Sequence, residues 1–298
     1  MAGDQWLAEH FEDQRPHLRA VAYRMLGSLS EADDAIQELW LHLNDADTSD
    51  VRNLRAWLTT AVARRCLNVL RSRQIRREES LSIHVPDPIV SPADEGNPEQ
   101  QALLADSVGL ALLVVLEMLS PDERLAFVLH DMFGVPFDDI APMVDRSPAA
   151  ARQLASRARR RVQGRAPAPD SDLRSQREVV DAFFAAARHG DFEALVAVLH
   201  PNVVLRADFG AASGAPGEVR GPDAVARLAL MFAHPDRMVR PMLINGAAGV
   251  AIFARGRPIS LMGFTIVRDR IVEIDAIADA RRLRRLGVAD LDRNAPLT

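Results

Sequence analysis

Two apolar-periodic stretches separated by three residues constrain this chain more than any other feature. "FDDIAPMV" (137–144) is followed by "DRS" and then by "PAAARQLASRARRRVQGR" (148–165). Ser147 is placed to cap the second stretch, and Pro148 suits a first helical turn, where its missing N–H leaves nothing unpaired. A short helix, a three-residue turn and a second helix make a helix-turn-helix. Within the second helix Ala151, Leu154, Ala155, Ala158 and Val162 recur at the spacing of an inward stripe. Ser147, Ala149 and Ala150 give it a small N-terminus that permits close approach to a phosphate backbone. Arg152, Gln153, Ser156, Arg157 and Arg160 then occupy the outward side, where arginine and glutamine can read guanine and adenine edges. A solvated basic helix is the bland alternative, but cap, turn and preceding helix agree on a reader.

Charge is sorted along the rest of the chain. Seven acids and no arginine lie between Ser30 and Asp50, including Asp45, Asp47 and Asp50. Eight arginines and no acid follow between Val51 and Arg77, and six arginines without an acid lie between Pro148 and Arg165. The formal net charge is only −5, so the average conceals the pattern. Two basic surfaces for a polyanion and one acidic surface for a different partner are expected. The single cysteine, Cys66, excludes an intramolecular disulfide and a cysteine-rich zinc site; no metal or cofactor is expected. The N-terminus is acidic and lacks an apolar core, unlike a signal peptide. The longest apolar run, "VGLALLVVL", falls short of the roughly 20 residues that span a bilayer. A cytoplasmic protein without a membrane contact is the expectation.

Residues 4–77 read as a succession of helices, with Ser30 as an expected cap and Asp33 in the first turn. The proline-rich acidic segment "HVPDPIVSPADEGNPE" reads as a linker spanning 78–101. A second helical unit is expected at 102–163, with "SPDER" as a capping-box start (Ser120, Pro121, Glu123) and Gly134 as a stop. Another linker covers 164–172. From 173 to 291 the texture changes: two helices lead into strand-like "NVVLRAD" and a glycine-rich loop "FGAASGAPGEVRG". Then come a helix "PDAVARLALMFA", the strand-like "MVRPMLI", "GVAIFAR", "PISLMGFTIV" and "RIVEIDAIA", and a terminal short helix, "DARRLRRLG". That succession predicts an α+β domain with antiparallel strands.

These motifs carry a resemblance. "SEADDAIQELWLHL" resembles the region 2 helix of extracytoplasmic-function RNA polymerase sigma factors that docks on the polymerase clamp. Asp33, Asp34, Gln37 and Glu38 stand at the matching positions. "NLRAWLTTAVARRCLNVLRSR" resembles the segments that open and read the −10 element. Arg64 and Asn68 fall at or beside positions that capture a flipped base, and Arg65, Arg71 and Arg73 extend the basic surface. "LSPDERLAFVLHDMFGVPFDDIAPMVDRSPAAARQLASRARRRV" resembles region 4, the reader of the −35 element. Asp145 replaces the usual turn glycine, and Ala151 a branched apolar residue. The resemblance implies two all-α sigma regions, core RNA polymerase and promoter DNA as partners, and no bond-making chemistry.

Residues 173–291 resemble a SnoaL-like domain of the nuclear-transport-factor-2-like superfamily, fused as in sigma factors of the SigJ type. The resemblance implies helices over a curved sheet forming a cone, an intramolecular contact with the sigma regions, and modulation of their activity. Asp208 stands where relatives carry an Asp before a glycine cluster, although Phe209 intrudes and Gly210, Gly214 and Gly217 are dispersed. Asp279 and Leu283 fall on the first and last positions of a terminal Asn-Pro-Asp-Lys-Leu motif. His200, Asp208 and Asp275, with Arg206, are the side chains an enzyme in this cone would use, at its interior or mouth; a surface position for His200 and Asp208 is the favoured alternative. The apolar strands suit a small apolar ligand or a plain core equally. Two other functions stay open on sequence: a ligand-responsive helix-turn-helix regulator acting alone, and a bifunctional enzyme.

Overall fold

A glycine breaks the first long helical stretch. In the computed structural model, which describes residues 2–43, 53–77, 85–93, 109–165, 170, 172–210 and 217–289, Gly27 takes φ 71° and ends α1 (Ala2–Leu26). The next helix, α2 (Leu29–Leu43), already includes Ser30, so that residue lies inside the first turn and is not the cap expected from sequence. Asp33 pairs with Arg19, Nε to Oδ1 2.8 Å. The basic helix α3 (Leu54–Arg77) completes the group. Phe11, Leu18, Val21 and Met25 of α1 are fully buried with Ile36 of α2 and Leu58, Val62 and Cys66 of α3. Burial also pushes the Cys66 thiol up to about 12.

Downstream, α4 (Leu110–Glu117) precedes α5 (Pro121–Phe127), which starts as the sequence predicts. The Ser120 hydroxyl accepts from the Glu123 amide, and the Glu123 carboxylate accepts from the Ser120 amide. One π-helical turn, Val128–Met132, widens the backbone before Gly134 reverses it at φ 69°. A short α6 (Phe137–Ile140) and a 3-10 turn, Ala141–Met143, lead to Asp145, whose φ of 52° is left-handed. Aspartate tolerates that conformation better than most residues, so the missing glycine leaves the turn intact. Then comes α7 (Pro148–Arg165).

The chain divides into two compact units, one of Met1–Glu79 with Val115–Arg165, the other of Ser80–Val114 with Ala166–Thr298. The second has the α+β architecture expected from sequence. Helices α8 (Leu173–His189), α9 (Phe192–Val198) and α10 (Pro222–Phe232) accompany a seven-stranded sheet. Its strands are β1 (Val90–Pro92), β2 (Leu199–Asp208), β3 (Glu218–Arg220), β4 (Arg237–Ile244), β5 (Ala247–Ala254), β6 (Arg257–Val267) and β7 (Arg270–Ile277), in the order β1-β4-β5-β6-β7-β2-β3. A last helix, α11 (Ala280–Arg285), is capped by Asp279, whose carboxylate accepts from the Arg282 amide.

Three details depart from the sequence reading. The sheet is mixed, because β2 and β7 run parallel while the other pairs are antiparallel. The end of the expected glycine-rich loop is the strand β3. The described part of the expected linker 78–101 is built into the fold: β1 pairs with β4, and Ile89 exchanges hydrogen bonds with Asn245. Asp45, Asp47 and Asp50, residues 78–84 and 94–108, residues 166–169 and 171 of the second linker, and Gly214 lie outside the described residues.

Alternation along the strands gives the sheet two apolar faces. On one, Leu205, Ala207, Val250, Phe264 and Ala276 pack with Val180, Phe183 and Leu195 of the helices. On the other, Met242, Ile244, Phe253, Leu261 and Ile277 pack with Val85, Leu110, Leu283 and Val288. The connecting segment thus supplies apolar cover for the sheet. No described helix is long and apolar enough to cross a membrane.

Candidate polymerase and promoter interfaces, and a clamp on the connecting segment

Helix α7 turns outward the side that its sequence predicts. Ser147 caps it, accepting from the Ala150 amide at 3.3 Å, and Ala151, Ala155 and Ala158 are fully buried. Ala149, Arg152, Gln153, Arg157 and Arg160 are exposed; Ala150 and Ser156 are half-buried at its edge. The Arg152 guanidinium lies 5.3 Å from the centre of the Phe137 ring, which steadies it without neutralising it. Two arginines of the same run do something else. Arg159 pairs with Asp131 (2.5–2.8 Å) and Arg161 with Glu123 (2.7 Å), fastening α7 to the helical segments before it. Spacing alone does not separate them, since Arg159 stands seven residues from Arg152 on the same side; the acids Asp131 and Glu123 do.

In α2, Ala32, Ala35, Ile36 and Leu39 are buried, and Asp34 and Gln37 are exposed. Asp33 and Glu38 flank them half-buried: Asp33 holds Arg19 and Glu38 forms an ion pair with Arg65. Arg64, Arg65 and Asn68 are exposed on α3. The expected basic continuation is differently placed. Arg71 pairs with Asp122 at 3.0 Å, while Arg73 pairs with Glu31 and donates to the Leu26 carbonyl at 3.0 Å. Sequence reasoning also missed Arg124, only 2% exposed. It joins Glu117 at 2.7 Å and donates twice to the carbonyl of Arg24, at 3.1 and 3.2 Å. A buried arginine with all these partners is a rivet between the helices of the two stretches.

In the second unit the expected residues divide by face. Asp208 and Asp275 are buried at 5% and 2% exposure, and both turn away from the helix-covered face. This corrects the expectation that they point into the cone or, for Asp208, lie at the surface: in β2 and β7 every second side chain faces the other way. Arg206 donates to Glu273 and Asp275, each at 3.1 Å, and its Nε lies 3.7 Å from Glu218. One arginine among three acids leaves net negative charge in a dry site. Burial therefore raises the Asp275 carboxyl to about 7 despite its partner. His200 is half-buried at the start of β2, and its ring nitrogen accepts from the Asn202 amide.

Asp208 belongs to a clamp. Arg282, four-fifths or more buried like its partners, donates to Asp208, to Asp87 and to the Val85 carbonyl. Arg285 adds a second pairing to Asp87 at 2.7 Å. Asp279 sits against Gly210, whose φ of 77° and lack of a Cβ leave room for that carboxylate; any Cβ there would collide with it. Leu283 is buried beside Val85 in the apolar cluster below. Three sequence-distant stretches, 85–87, 208–210 and 279–285, thus meet at one point. Among the described residues no three potential metal ligands converge.

The family profiles "Sigma-70 region 2" and "Sigma-70, region 4" match residues 10–76 and 109–162. The chain is 43% identical to the "ECF RNA polymerase sigma factor SigJ" of Mycobacterium tuberculosis over 290 residues, covering 95% of this chain and 91% of that protein. The chain belongs to the extracytoplasmic-function RNA polymerase sigma factors. It is also 33% identical to a "Probable ECF RNA polymerase sigma factor SigI" of the same species over 273 residues, 90% of this chain and 92% of the relative. The crystal structure of Mycobacterium tuberculosis SigJ superposes with a TM-score of 0.72 at 33% identity, over 93% of this chain and 98% of that one. The similarity extends well past region 4, so the sheet unit is shared with these sigma factors. It removes the reading of a helix-turn-helix regulator that acts alone.

Proposed function

We propose that this sigma factor docks on the polymerase clamp through Asp33, Asp34, Gln37 and Glu38. Arg64, Arg65 and Asn68 take the −10 element, and the outward face of α7 takes the −35 element. Elements about 25 base pairs apart lie roughly 85 Å apart along B-form DNA. The pairs Arg71–Asp122 and Arg124–Arg24 hold the two stretches together, so promoter engagement breaks them and frees Arg71 for phosphate. The π-helical turn and the rivet belong to this closed form.

The sheet unit modulates that opening by gripping the segment that connects the two sigma regions. One observation carries this reading: Arg282 and Arg285 hold Asp87 while β1 is hydrogen-bonded into the sheet. The test is run-off transcription with core polymerase, comparing the full chain, a chain ending at Arg165, and Arg282→Ala. Promoter output that differs between the full chain and both altered forms supports modulation through the clamp; identical output from all three refutes it. Asp34→Arg separately tests the polymerase face, where retained core affinity would remove α2 from the interface.

A further inference from the structure

The face of the sheet opposite the clamp encloses a cavity of about 560 Å³. That size falls within the roughly 300–1,000 Å³ of small-molecule sites. We propose that it binds a small organic anion with an apolar body, of the class of a medium-chain carboxylate.

Its depth is apolar. Phe183, Leu205, Ala207 and Ala276 line it and are each at most 7% exposed, with Phe184 and Met262 beside them. Alanines at 187, 207, 229 and 276 leave the room that larger side chains would fill. An apolar body entering there leaves water without giving up any protein hydrogen bond. The solvent end is different. Phe232 and Met238 form an apolar lip, 45% and 53% exposed. Arg188, His234 and Arg237 are the charged or titratable side chains of the lining, and no aspartate or glutamate joins them.

The positive charge is largely unspent. Arg237 donates to the Phe232 carbonyl and stacks over the Phe232 ring at 5.5 Å, contacts that orient a guanidinium without cancelling its charge. Asp236 lies 3.7 Å from His234, so that pair contributes little. Among the described residues no carboxylate forms an ion pair with Arg188 or Arg237. Strand alternation enforces the contrast: Asp208, Glu273 and Asp275 all face the clamp side, and an anion in the cavity meets none of them. An apolar floor under a mouth of two arginines matches a molecule with one anionic end and discriminates against a cationic one.

Calorimetric titration of the full-length chain with decanoate, decanol and decylammonium, each below its aggregation threshold, tests this. Decanoate is expected to saturate at one per chain, decanol to bind at least tenfold more weakly, and decylammonium not to bind. Ala229→Trp fills the cavity and should abolish decanoate binding, with circular dichroism reporting the fold. Arg188→Gln combined with Arg237→Gln should weaken decanoate at least tenfold and leave decanol unchanged. This pair lies near the surface, so it carries the test if Ala229→Trp fails to fold. The proposal is overturned if decanoate shows no saturable binding, if a folded Ala229→Trp chain binds it unchanged, or if decylammonium binds as tightly. Each outcome is independent of promoter output, and of the clamp reading.

Discussion

Helix α7 and the buried carboxylate clusters of the sheet unit use arginine in opposite ways. On α7, Arg152, Arg157 and Arg160 stand in solvent on a helix without acids. In the sheet unit, Arg206 and Arg282 are at most 8% exposed and are ringed by carboxylates. The first kind keeps its charge available for a phosphate or a base. The second spends its charge inside the protein, where it fixes the position of one chain segment against another. Residue type alone does not distinguish them; what does is whether acids converge from distant parts of the sequence.

Breaking the buried kind should cost most. Arg282→Ala removes the arginine that Asp208 and Asp87 share inside the protein, with only Arg285 still reaching Asp87, and about 3–5 kcal/mol of stability should be lost in thermal or denaturant unfolding. An unchanged unfolding midpoint would show that the clamp is not formed in solution. The Arg206 cluster sharpens the same point through pH. The Asp275 carboxyl titrates near 7 when folded, against an ordinary value of 3.8. Below about pH 4 it is neutral in both states. Between about 4 and 7 the unfolded chain has released a proton that the folded chain retains, so its contribution to stability falls as pH rises through that window. Asp275→Asn should flatten this part of the stability profile, and a slope equal to the parent's would place the titration elsewhere.

Exposed arginines should behave differently. Arg152→Ala is expected to leave the unfolding midpoint alone and to cost roughly 1–3 kcal/mol of discrimination at one position of the −35 element. Selectivity that stays constant while affinity drops would make the helix a phosphate clamp. The smallest effect belongs to the cap: Ser147→Ala should cost about 1 kcal/mol of stability, read from unfolding, with the outward face chemically unchanged.

The legibility of the sequence follows the same division. Helix caps, inward stripes and outward arginines depend on neighbours within a few residues, so Ser120, Ser147 and the face from Arg152 to Arg160 could be read directly. The strands β2 and β4–β7 were visible as apolar runs for the same reason. Long-range pairing was not. Nothing local in "HVPDPIV" shows that Asp87 meets an arginine 195 residues later, and its prolines and acids resemble those of a free linker. The parallel β2–β7 pair escaped likewise, because the strands are far apart in sequence and adjacent only in the sheet. Resemblance directed attention to Asp208, Asp279 and Leu283, yet Arg282, which links all three stretches, carries no local signal beyond belonging to an arginine run. Arg71 and Arg73 show the converse: a basic run suggested DNA, while Asp122 and Glu31 pair with them.

The distance in sequence between Asp87 and Arg282 also sets an order of events during synthesis. At about 5–20 residues per second, the ribosome takes roughly 10–40 s to add the residues that separate them. Both sigma regions have emerged before the terminal arginines exist. A newborn chain therefore passes through an interval with its connecting segment ungripped, and the clamp closes only after Arg282 has been added and has emerged.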